Sequence, residues 1–147
     1  MATKGYIRYK SEYKYQLAES YQIRIVIKPK SAIKTDFIDL DIQGNLEVKK
    51  GYAWDGPSGP VKDTEENMRA SLVHDALYQL MRNNELNSRT HRKAADKEFK
   101  DICQADGVSN FRASVYYKTL RSFGKAAASP ENKKRVIRAP GGSRDLP

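Results

Sequence analysis

His74 and Asp75 stand side by side in a stretch that reads as a helix, and Tyr78 follows about one turn later. An imidazole next to a carboxylate is the smallest donor pair that can start a divalent-metal site or a general acid–base couple. Neighbours on an α-helix point about 100° apart, so the two can share an ion only if it sits between their directions and further ligands come from elsewhere. Asp55, His91 and Asp96 are the available suppliers. A metal held by His74, Asp75, Asp55 and Asp96 would lower the pKa of a bound water and stabilise a developing oxyanion. In that scheme Asp55 or Asp96 completes the shell or acts as base and Tyr78 orients the substrate, as in a metal-dependent hydrolase or a degenerate relative of one. The same side chains also suit a role with no reaction in it. Asp96 falls on the flank of an apolar stripe, and a carboxylate in a seam between helices needs a partner, because an unpaired buried charge is costly. A metal would serve, and so would Arg82 or Arg92.

The elements that must position these residues change period half-way along the chain. Tyr21 to Ile27 alternates and then turns apolar on both faces, as a strand entering a core does. Pro29 ends it, since proline cannot donate to a ladder. Phe37 to Ile42 sets Ile38, Leu40 and Ile42 on one face, and Gln43-Gly44-Asn45 turns tightly into Leu46-Glu47-Val48, which predicts a hairpin. A weaker strand covers Tyr13 to Leu17. Beyond residue 62 the period becomes helical. Asp63 with Glu66 three residues on predicts a capped start. Leu72, Val73, Ala76, Leu77 and Leu80 form the apolar stripe, which leaves Ser71, His74, Asp75, Tyr78 and Arg82 on the opposite side. A second helix from Ser88 buries Ala95, Phe99 and Ile102 and stops at Gly107. A third from Ser109 buries Phe111, Val115 and Leu120 and stops at Gly124. Cys103 lies on the apolar side of the second helix and reads as a small core residue, and a single cysteine leaves no intramolecular disulfide or cysteine-based zinc cluster.

The expected fold is α+β, a small antiparallel β-sheet packed with about three α-helices. Residues 1–123 form one domain: strand-rich over 1–50, a Gly/Pro-rich loop over 51–62 and helical over 63–123. A basic, extended tail follows over 124–147. In the loop, five of the ten residues from Gly51 to Pro60 are Gly or Pro, around Trp54 and Asp55. That composition makes a shaped loop rather than a linker. Either Trp54 plugs the core and Asp55 caps a turn, or the loop delivers Asp55 to a site.

The 147 residues hold 27 Lys and Arg against 18 Asp and Glu, a formal net charge of +9. The excess is unevenly placed: +4 over residues 1–62, +1 over 63–123 and +4 over 124–147. The tail holds Lys133, Lys134, Arg135 and Arg138 among Pro and Gly residues. It has little to bury, and suits either solubilisation or anchoring to an acidic partner, protein or nucleic acid. No apolar run is long enough for a transmembrane helix and none near Met1 looks like a signal peptide, so no membrane role is expected and the expected compartment is the cytoplasm. Phosphate-loop, nucleophile-elbow and His-Glu-x-x-His patterns are absent.

The run from Gly51 through His74-Asp75-Ala76-Leu77-Tyr78 to Ala95-Asp96 and Phe99 resembles a phage-associated family, the domain of unknown function numbered 1353. Its members join a Gly-aromatic, Asp-containing, Pro-rich loop to a helix bearing His-Asp-x-Leu-Tyr and then to a helix bearing Ala-Asp and an aromatic. The resemblance spans about residues 35–123. Where the family loop usually has Thr-Asp, this chain has Trp54-Asp55. The resemblance implies a phage or prophage origin, host cytoplasm or virion as the location, and one shared site for Asp55, His74, Asp75, Tyr78 and Asp96. It supplies no reaction. Three functions are expected to compete: the divalent-metal hydrolase, a non-catalytic virion protein of the tail or neck held to a phage or host protein by its basic tail, and, third, nucleic-acid binding through the Tyr- and Lys-rich first half.

Overall fold

The computed structural model describes residues 7–9, 14–57, 61–130, 136–139 and 144–145. The first half gives short strands: β1 (Ile7–Tyr9), β2 (Tyr15–Gln16), β3 (Tyr21–Arg24), β4 (Ile33–Lys34), β5 (Ile38–Leu40), β6 (Asn45–Val48) and β7 (Ala53–Trp54). Three long helices follow, α1 (Glu65–Arg82), α2 (Ser88–Ala105) and α3 (Asn110–Phe123), then the single turn α4 (Lys125–Ala128) and the strands β8 (Val136–Ala139) and β9 (Arg144–Asp145). The class is α+β, with small antiparallel sheets in the N-terminal half.

The main sheet has the order β3-β6-β5-β4, all neighbours antiparallel. Its register places Leu40 opposite Leu46 and Ile38 opposite Val48, all four buried. The β5–β6 hairpin forms as expected, and Gly44 is indispensable to it. Its φ is +89°, and a Cβ there would run into the Ile25 carbonyl oxygen, whose neighbouring amide donates to Gly44 O at 2.8 Å. Asp41 fixes the turn by accepting from the amides of Gln43 and Asn45, both at 2.9 Å. Ile42 departs from expectation: it lies beyond the strand and is exposed. Once the chain turns at Asp41, the alternation that buries Ile38 and Leu40 no longer applies. Val26 is exposed as well, between buried Ile25 and Ile27.

Helix α1 starts one residue later than its sequence signal suggests. Its N-cap is Thr64, whose amide donates to Asn67 Oδ1 at 2.9 Å. Asp63 is drawn away from capping, because its carboxylate accepts from Tyr15 Oη at 2.5 Å and from Lys14 Nζ at 3.2 Å. The helix is also buried on more than one face. Ser71, His74 and Tyr78 are as buried as the expected stripe, because the sheet and loop cover one side and α2 the other.

Helix α2 is capped by Asn87, which accepts from Thr90 N, and buries Ala95, Phe99, Ile102 and Cys103 as its pattern predicts. Burial pushes the Cys103 thiol pKa up to about 12, which suits a core residue. Helix α3 corrects its expectation. Leu120 is buried, but Phe111 is 79% exposed and Val115 is also exposed. At 100° per residue both point opposite Ala113 and Leu120, the residues that α3 buries. Ala128 is buried too, so the first turn after Gly124 packs on the body. In the tail, β8 pairs with β1 and β9 with β8. Lys133, Lys134 and Arg135 lie outside the described residues, and Arg138 is described only through its backbone position in β8 opposite Arg8.

Candidate functional site

Three helices each bring polar side chains to one buried point. From α1 come His74 and Tyr78, one turn apart on the side facing α2. From α2 come Asp96 and, one turn earlier, Arg92. From α3 comes Arg121. Asp96 is 0% exposed, Tyr78 1% and His74 3%. Asp96 Oδ1 accepts from Tyr78 Oη at 2.5 Å and lies 2.8 Å from His74 Nε2. Its second oxygen accepts from Arg121 Nη1 at 2.9 Å and lies 3.6 Å from Arg92 Nη1. Arg92 also donates to the carbonyls of Leu120 and Arg121, near the end of α3, where helix carbonyls have no partner of their own.

Burial alone would raise the Asp96 pKa. The hydrogen bonds with His74, Tyr78 and Arg121 outweigh it, so the carboxyl is held below its ordinary range. Ionised, it is an acceptor only. Burial, followed by the bond to Asp96, raises the Tyr78 phenol well above its usual value, so it remains a donor. The His74 ring packs on Tyr78, centroids 4.0 Å apart, and meets the edge of Phe99 at 5.5 Å. Among the described residues, no buried side-chain nitrogen or oxygen lacks a partner.

The other carboxylates of interest are held elsewhere. Asp75 accepts a hydrogen bond from the hydroxyl of buried Tyr52, which also lies 3.3 Å from Gln79 Oε1. Asp55 accepts from the Lys14 amide at 3.1 Å. Trp54 is buried and its indole donates to Ser71 Oγ at 3.0 Å, so the aromatic loop is tied to α1 two turns before Tyr78. The five candidates are therefore distributed: His74, Tyr78 and Asp96 share one cluster, while Asp75 joins the loop to α1 and Asp55 joins the loop to the segment before β2. Among the described residues, no group of three or more His, Cys, Asp or Glu side chains is placed to hold a metal ion. At the centre of the cluster, the ligand-type carboxylate faces two guanidinium cations, surroundings that repel a further cation.

Of the two partners expected for Asp96, Arg92 fills the role, while Arg82 donates instead to the Ala127 carbonyl at 2.9 Å. Two further participants carry no sequence signal of chemistry. Arg121 lies next to buried Leu120 in α3. Gly124 was recognisable only as a stop, yet a Cβ there would collide with the Tyr78 hydroxyl and the Leu120 carbonyl and lie 3.2 Å from Arg92 Nη1. Its φ of −80° is ordinary, so the glycine is required by close approach rather than by backbone angle.

No helix among the described residues is long and apolar enough to cross a membrane. Searches of curated proteins and of solved structures return no match. The model of a family described as a protein of unknown function, DUF1353, matches residues 33–120, a span that takes in the hairpin, the aromatic loop, α1, α2 and most of α3, and ends one residue before Arg121. The chain belongs to the DUF1353 family.

Proposed function

We propose that this chain is a non-catalytic bacteriophage or prophage protein, a virion part or an interaction module. In this reading the His74–Tyr78–Asp96 cluster with Arg92 and Arg121 clamps three helices together and takes no part in a reaction. One observation carries the reading: Asp96 is fully buried and both of its oxygens are occupied, by a phenol and an imidazole on one side and by two guanidinium groups on the other. A general base needs access to water or substrate. Asp96 has no solvent exposure, and both of its oxygens face protein donors.

The divalent-metal hydrolase is the competing reading. It requires Asp55 and Asp75 to leave their contacts with Lys14 and Tyr52 and join His74 and Asp96 on one ion. Metal analysis of the purified protein and of His74→Ala distinguishes the two, since a stoichiometric metal lost in the variant would favour the hydrolase. The virion role is tested by mass spectrometry of purified particles from the encoding phage. Stoichiometric presence is the expected result. Recovery only from infected-cell lysate, with none in particles, would contradict it.

A further inference from the structure

Arg92 and Arg121, the two guanidinium groups bound to Asp96 from outside, also form the floor of a surface recess of about 300 Å³. Ser88, Arg89, Lys93 and Lys125 also line it. Among the described residues that line the recess, five side chains are cationic, one is a hydroxyl and none is an acid. Arg89, Lys93 and Lys125 are exposed and make no ion pair among the described residues. Bringing five like charges around one concavity is unfavourable without a counter-charge. Asp96 offsets one from beneath and is fully buried there, so it cannot balance the others. The two floor guanidiniums are also fixed in direction. Arg121 is held by Asp96 at 2.9 Å, and Arg92 by the Leu120 and Arg121 carbonyls. Pre-oriented guanidiniums beside mobile ammonium groups and a hydroxyl match the several acceptor oxygens of a phosphoryl group.

We infer that this recess is a binding site for a polyvalent phosphate, of which the diphosphate group is the simplest example. A carboxylate brings one charge and two oxygens, too few for five cations. A nucleic-acid backbone carries one charge per phosphate and lays them along a line, whereas these cations surround a point at the meeting of α2, α3 and α4. The inference is independent of whether the protein is built into a virion.

The test is calorimetric titration of the intact protein with inorganic pyrophosphate and, separately, with ADP and with a short single-stranded oligonucleotide. The variant is the double substitution Arg89→Gln and Lys93→Gln, at exposed positions outside the buried cluster, with its fold checked by circular dichroism. Saturable pyrophosphate binding, weakened roughly tenfold or more in the variant, is the expected result. ADP binding more tightly than pyrophosphate, with the same loss in the variant, would also support the site and would identify a nucleotide as the source of the group. Absence of binding by both phosphate ligands at low salt would overturn the proposal. So would equal binding by parent and variant, or oligonucleotide binding far tighter than pyrophosphate and lost in the variant.

Discussion

Asp96 carries a full charge at a position with no solvent exposure, and its surroundings are what make that tolerable. The folded-state pKa is lowered, against an unfolded value of about 3.9. The unfolded chain therefore binds the proton first as pH falls. The stabilisation from the ionised carboxylate is complete above the unfolded pKa and is lost as pH drops through the folded one. Urea midpoints measured between about pH 6 and 2 should show an acid-side decline that is clearly shallower in Asp96→Asn. Gly124 makes a second test at this scale. Gly124→Ala places a methyl group against Tyr78 and Arg92, and such overpacking costs about 1–3 kcal/mol, readable as a lowered unfolding midpoint. His74, Tyr78 and Asp96 were legible only within a five-residue set that also held Asp55 and Asp75, which are held by Lys14 and Tyr52 instead. Arg121 and Gly124 were not, because an arginine near a helix end and a glycine after one have ordinary local explanations. Only the crossing of α1, α2 and α3 gives them their partners.

At the scale of elements, periodicity located all three long helices and the β5–β6 hairpin, and missed what depends on neighbours. The stripe of α1 was read as one-sided, but the sheet and α2 cover different flanks of it, so its polar residues are interior too. Asp63 looked like a cap until Tyr15, 48 residues away in sequence, claimed its carboxylate. The two-residue strands β4 and β7 are too short to show alternation. For α3, the apolar residues Phe111, Val115 and Leu120 were assigned to one buried face, although Leu120 lies opposite the first two. That correction has a measurable consequence. Leu120→Ala should cost about 2–5 kcal/mol, whereas Phe111→Ser should stay within about 0.5 kcal/mol, both from denaturant unfolding. For α2, Asn87→Ala removes the acceptor for Thr90 N and should cost about 1 kcal/mol in the same assay.

For the molecule as a whole, the distribution of charge along the sequence and its distribution in space say different things. Residues 63–123 sum to +1, which places the cationic excess in the strand region and the tail. Within that near-neutral segment, however, Arg89, Arg92, Lys93 and Arg121 gather at one end of the helical layer, joined by Lys125, and the acid that meets Arg92 and Arg121, Asp96, is buried beneath them. A segment sum cannot reveal this, because the ends of α2 and α3 meet only after folding. The helical layer is held by the buried network, the aromatic loop is tied to α1 through Tyr52–Asp75 and Trp54–Ser71 and the main sheet through Arg69–Tyr21, and the cationic recess lies on the network's outer side. The network's structural role is tested most directly by equilibrium urea unfolding of the parent protein and Asp96→Asn, each with and without chelator. The expected result is a loss of about 3–5 kcal/mol in the variant, as for one partner removed from a buried ion pair, with neither protein altered by chelator. A variant as stable as the parent, or a parent destabilised by chelator, would contradict it.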